Sequence, residues 1–151
     1  MAQDFYDILD PFDYIVQKLR DEQHTLGIAY VAENDEELLP EYPAVLVQAD
    51  RTDREIHTTG QFRVVHHLDL WVFHAELTLP TDVRARRDIE LATAVRKFLH
   101  SDRSLGGHII HGFVDGEFPI VSPRVIDAQV IGVISTRMTW AGTVRVPFEV
   151  S

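Results

Sequence analysis

Histidine is the residue type in this chain that chemistry could use most readily, with eight copies in 151 residues. His66, His67, Asp69 and His74 crowd one stretch rich in Val, Leu, Phe and Trp. On a strand alternate side chains share a face, so His67 and Asp69 converge while His66 points the other way with His74. Two ligands are too few, because zinc takes three from the protein and usually a fourth. His108 and His111 offer a third, but their spacing beside Gly106-Gly107 does not suit a strand. Scattered, half-buried imidazoles explain the pattern more simply than a metal centre does.

Nucleophilic chemistry finds less support. Serine, histidine and aspartate are all present, yet no serine sits in a G-x-S-x-G elbow. Neither phosphate-cradling glycine pattern, G-x-x-x-x-G-K-[ST] or G-x-G-x-x-G, occurs. Gly106-Gly107 reads as a helix stop and Asp115-Gly116 as a turn. Cysteine is absent, which removes thiolate catalysis, disulfides and cysteine-held metals. The sequence therefore implies no catalytic residue, no metal and no cofactor. The alternative from another class is a small metal-dependent hydrolase using His67 and Asp69.

Charge narrows the partners. At a formal −10 the chain is repelled by phosphate backbones, so a nucleic-acid reader is disfavoured, whereas a protein past which DNA slides is compatible. The run from Glu33 to Glu37 reads as a solvated loop, with cation or basic-partner binding the lesser alternative. Arg84, Arg86 and Arg87 stand at the start of a predicted helix, where positive charge opposes the macrodipole by ~0.3–1 kcal/mol each. They imply either ion pairs with Asp82, Asp88 and Glu90 or an acidic partner surface. The first ten residues lack the basic and apolar regions of a signal peptide, and no apolar stretch approaches the ~20 residues of a membrane span. The expected location is cytoplasmic, with no membrane partner.

The elements that must position these residues follow from periodicity. Phe5, Ile8, Leu9, Phe12, Ile15, Val16 and Leu19 recur at helical spacing. Asp10-Pro11 predicts the helix start, as N-cap and first helical residue, with residues 4–9 a separate turn. The helix should reach about His24 and stop at Gly27. Strands are predicted at Ile28–Ala32, Ala44–Ala49 and Phe62–Leu79, the last long enough to need a bulge. The charged stretch Asp50–Gly60 would join two of them as a projecting hairpin arm. Thr81 or Asp82 caps a second helix to His100, with Val83, Ile89, Ala92, Val95, Phe98 and Leu99 on its inner face and Arg96 opposite. A strand at 108–114, a Gly/Pro-punctuated loop through Pro123, and runs Val125–Trp140 and Thr143–Val150 complete the chain, with a turn at Ala141-Gly142. This order predicts one α+β domain, a mostly antiparallel sheet with both helices on one face.

From Pro11 to Phe148 the arrangement resembles the tail terminator (tail-completion) proteins of long-tailed bacteriophages. The likeness rests on the N-terminal helix, the strand Pro43–Ala49, the charged arm, the strand Phe62–Leu79 ending in Pro80 and the helix Asp82–His100. The terminal strands add Arg137-Met138-Thr139-Trp140-Ala141-Gly142-Thr143-Val144-Arg145, and Thr139–Gly142 carries the likeness most. The resemblance implies an α+β subunit of a six-membered ring that caps the tail tube, stops its growth and meets the head or connector, without catalysis or cofactor. Its partners would be further copies of itself, the tube protein and the connector protein, with a location in the virion tail after assembly in the host cytoplasm. A head-completion or neck protein of the same assembly is the nearest alternative. The residues then expected at contacts are Arg51, Asp53 and Arg54 in the arm, Trp71 and Phe73 on one strand face, and Arg84, Arg86 and Arg87.

Overall fold

The computed structural model describes residues 5–33, 41–58, 60–73, 81–126 and 129–147, and within these no side chain at 57, 58, 81–85, 119–126, 129–134 or 147. In chain order the elements are α1 (Leu9–Asp21), α2 (Gln23–Leu26), β1 (Tyr30–Glu33), β2 (Ala44–Thr58), β3 (Gln61–Phe73), α3 (Thr81–His100), β4 (His111–Ile126) and β5 (Gln129–Pro147). The strands form one sheet in the order β1-β2-β3-β5-β4, antiparallel except for the β1–β2 pair. The fold is α+β, as the element order predicts.

Register sorts the residues between two faces. Val45, Val47, Val64, Leu68, Leu70, Val72, Met138, Trp140 and Val144 point to the side where the helices lie. Against them α1 sets Phe12, Ile15, Val16 and Leu19, and α3 sets Leu91, Ala92, Val95 and Leu99. This dry layer is the main source of stability, at roughly 25 cal/mol for each Å² of apolar surface removed from water. Ile89 is corrected from the inner face, being 58% exposed, and Phe98 only borders the core. The inward line runs through Asp88, Leu91, Ala92, Val95 and Leu99, the three- and four-residue spacing of one helix face. Asp88, expected as a surface ion-pair partner, is thus buried. Arg96 is not on a free face either, since it pairs with Glu117 at 2.8 Å.

Helix α1 begins earlier than Asp10-Pro11 predicts. The Asp7 carboxylate accepts the Leu9 amide hydrogen at 3.0 Å, while Asp10 turns back to accept that of Phe5 at 3.1 Å. Proline is tolerated at 11 because the first turn has no acceptor for its missing hydrogen. The helix breaks at Glu22 before the short α2, which Gly27 ends at φ 75° as expected.

Three loop readings give way to strands. Asp50 to Thr58 continues β2 and pairs with β3. Arg51, Asp53 and Glu55 face one way and Thr52, Arg54 and Ile56 the other, a period of two with no apolar face to reveal it. The predicted bulge lies on β2, at Asp50 and again between Ile56 and Thr58, while residues 74–79 of the predicted third strand, His74 included, fall outside the described residues. The Gly/Pro-rich stretch 115–123 belongs to β4, an edge strand, where proline interrupts no inner ladder. Ala141-Gly142 is no turn but the middle of β5, opposite His67 and His66. The Trp140 indole lies over Gly142 and Gly112, and a Cβ on either would run into it.

Candidate assembly surface

The face of the sheet away from the helices carries Arg51, Asp53, Trp71 and Phe73, four of the eight expected contact residues, together with His67 and Asp69, while Arg54 turns to the other face. Across β2, β3, β5 and β4 the register sets out rows: Leu46, Trp71, Arg137 and Phe118, then Gln48, Asp69, Thr139 and Gly116, then Arg51, His67, Ala141 and Phe113. Phe118 is 51% exposed. The Arg137 guanidinium sits 5.7 Å from the Trp71 ring centre and reaches Asp69 at 3.0 Å. Trp71 in turn donates its indole hydrogen to Gln48 at 2.9 Å. Tryptophan, arginine and phenylalanine held this way are the types that dominate protein interfaces.

The arm extends this face. His67 Nε2 lies 2.9 Å from Asp53 Oδ2, which also meets Arg51 at 3.3 Å, and Arg63 pairs with Glu55. A shallow hollow of about 300 Å³ is lined by Asp53, Arg54, Glu55, Arg63, Val65 and His67. His67 and Asp69 share a face as their spacing predicts, but His67 is engaged by Asp53 and Asp69 by Arg137. Among the described residues no three His, Cys, Asp or Glu side chains are grouped to hold a metal ion.

Arginines 51, 63, 137 and 145 stand on this face against Asp53, Glu55, Asp69 and the bulge residue Asp115, with Asp50 beside Arg51. Among the described residues the face is therefore within one charge of neutral, on a chain of formal charge −10. Toward β1 it ends in a second cluster of Ala32, Ala44, Leu46 and Phe73, with Trp71 alongside. Phe73 is fully buried there, which corrects its expected place on an open contact face. Arg86 and Arg87 are exposed on α3, and Arg86 pairs with Glu90 at 3.2 Å, as the ion-pair reading predicts. The Arg84 side chain is not among those described. The sequence does not bring Arg137, Phe118 and Asp115 to this face, because only cross-strand register places them there.

His66 and His100 do structural work. His66 is buried, and its Nε2 lies 2.9 Å from the Phe5 carbonyl, which can only accept. Nε2 therefore carries the hydrogen, and Nδ1 accepts from the Thr52 hydroxyl at 2.9 Å. Burial holds this imidazole below its ordinary pKa, against the opposing pull of the Phe5 carbonyl. His100 is set the other way round, since its Nε2 accepts the Val114 amide hydrogen at 2.9 Å. Burial, then Arg103 and Arg96, lower its pKa and favour the neutral form that bond requires.

A larger cleft, about 630 Å³, lies between α1 and α3 and includes Tyr14, Lys18 and Phe98. Its phenol and ammonium groups are already committed. Asp102 accepts hydrogen bonds from Tyr14 at 2.8 Å, Lys18 at 2.6 Å and the Gly106 amide at 2.9 Å. Burial raises the Asp102 pKa, but these donors outweigh it and leave the carboxylate lowered. Burial and then the same aspartate raise the Tyr14 pKa, so its phenol stays protonated. The trio ties α1 to the turn after α3.

No family model matches this sequence, and no curated protein matches it. Among the described residues no helix is long and apolar enough to cross a membrane.

Proposed function

We propose that the chain is a non-catalytic assembly protein of the tail terminator kind, a ring subunit that caps a phage tail tube and joins it to the head or connector. The observation that carries this reading is the near-neutral sheet face with its Trp71–Arg137–Phe118 row. Copies that each bear −10 repel one another, and such a face is where they approach at least electrostatic cost. The acidic remainder is left to line the lumen, where it keeps DNA from adhering. The specific position in the virion comes from the resemblance in element order. Screening the self-repulsion should favour closure, because the Debye length falls from about 30 Å at 0.01 M salt to about 8 Å at 0.15 M.

Sedimentation velocity across a salt series tests the ring, with a gel shift on duplex DNA beside it. The expected result is a discrete oligomer that strengthens with salt, weakens in Arg137→Ala and Phe118→Ala, and ignores DNA. A monomer at every salt concentration, or micromolar DNA binding, overturns the reading. A stoichiometric metal lost in His67→Ala would favour the hydrolase instead.

A further inference from the structure

The two long edges of the sheet are treated differently. The β4 edge is closed: the Gly112 amide hydrogen goes to the Arg103 carbonyl at 2.6 Å and that of Val114 to His100. Beyond them come the bulge at Asp115 and then Pro119 and Pro123, which have no amide hydrogen to offer. Covering, bulging and proline are the devices that keep a sheet edge from recruiting another strand. The β2 edge also bulges, at Asp50 and before Thr58, but among the described residues it has neither a proline nor a covering segment along its middle. Short β1 pairs only with Ala44–Val47, and among the described residues no strand pairs the outer edge of β2 from Ala49 to Ile56.

We infer that this edge pairs with the same edge of a second copy, antiparallel about a two-fold axis at Thr52. Strands joined in one sheet must oppose residues of the same face, so the axis passes through a residue and not between two. Centred on Thr52, Arg51 of each copy meets Asp53 of the other on the open face. Thr52 meets Thr52 on the helix side, and Arg54 comes opposite the Asp50 bulge. Centred on Asp53, the pairing would set aspartate against aspartate, and centred on Arg54 it would set Asp53 against Glu55. The charges that deter an unrelated strand thus select this chain as its own partner. Opposite charges set directly across a ladder favour its pairing, and like charges in their place oppose it. A two-fold contact closes on itself. It makes pairs, whatever surface closes a ring, and does not depend on the ring reading.

The test is sedimentation equilibrium at 0.15 M salt on Arg51→Asp, Asp53→Arg, their equimolar mixture and the double variant. Both positions are exposed, and circular dichroism checks that each variant keeps the fold. Each single variant should self-associate about tenfold more weakly than the parent. The mixture should recover association, since Arg51→Asp offers two acids to the two bases of Asp53→Arg, and the double variant should recover it alone. A parent that is monomeric to millimolar concentration, single variants that associate as the parent does, or a mixture no better than its components overturns the pairing. A larger oligomer that persists in both single variants would leave the ring standing and remove only this contact.

Discussion

Asp88 on α3 accepts a hydrogen bond from the Thr136 hydroxyl of β5 at 2.7 Å, and the two side chains meet where water scarcely reaches. Its second oxygen, Oδ1, has no partner among the described residues. Burial pushes the carboxyl up from 3.8 to about 6, with the Thr136 bond opposing. The folded state therefore holds this proton more tightly than the unfolded chain does. The stability it brings is present in acid and is lost as pH rises through about 6. A shift of this size corresponds to roughly 3 kcal/mol at neutral pH. Asp88→Asn should melt higher than the parent at pH 7.5, with the gap closing near pH 4.5. A gap equal at both pH values would mean that the carboxyl ionises freely inside the fold.

His100 has the opposite sign. Its folded pKa is lowered, so the stability it lends is present above the ordinary histidine value and is lost as pH falls through the folded one. Protonation puts a hydrogen where the Val114 amide hydrogen already points. Exchange of the Val114 amide, corrected for the intrinsic effect of pH, should be less protected at pH 5.5 than at pH 7.5. In His100→Ala the protection should be low at both. Unchanged protection in the variant would show that the ring does not hold that edge.

The corrected face of α3 separates two aliphatic side chains of the same helix. Leu99→Ala removes a buried side chain and should cost about 2–5 kcal/mol in denaturant unfolding. Ile89→Ala, on the exposed side, should cost within about 0.5 kcal/mol. Comparable losses for the two would put the helix in another rotation.

Gly142→Ala should destabilise by several times the ~1 kcal/mol of a typical substitution, because its methyl meets the Trp140 ring. Gly60→Ala, with nothing near the added carbon, should be close to neutral. Pairing Gly142→Ala with Trp140→Leu should be less harmful than the sum of the two single changes. Strict additivity in urea melts would contradict the close approach.

Element types were legible in the sequence wherever one face was apolar. Helix α3 follows from Ala92, Val95 and Leu99, and the hydrophobic parts of β2 and β3 from Val45, Val47, Val64, Leu68, Leu70 and Val72, whose spacing records the helix-covered side. The arm was harder because Arg51, Asp53 and Glu55 alternate with Thr52, Arg54 and Ile56, so composition suggested a loop where the backbone forms a ladder. Gly142 misled in a different way. Glycine punctuates turns, but it also marks close approach, and the cause here is a tryptophan two residues before Gly142, whose ring also reaches Gly112 on the neighbouring strand. For the candidate surface, His67 and Asp69 could be put on one face from spacing alone. That His67 meets Asp53 and Asp69 meets Arg137 depends on register between strands distant in sequence.

The chain has two tryptophans, and the packing of Trp140 over its glycines gives them separate optical roles. Trp140 is sealed at 1% exposure beneath the helices, so its emission should be blue-shifted and should move to the red only when the core opens. Trp71 lies half-buried on the open face beside the Arg137 guanidinium, so its emission should respond to whatever settles on that face. Trp71→Phe and Trp140→Phe would assign the two signals, and intrinsic fluorescence could then report melting and docking as distinct events without an added label.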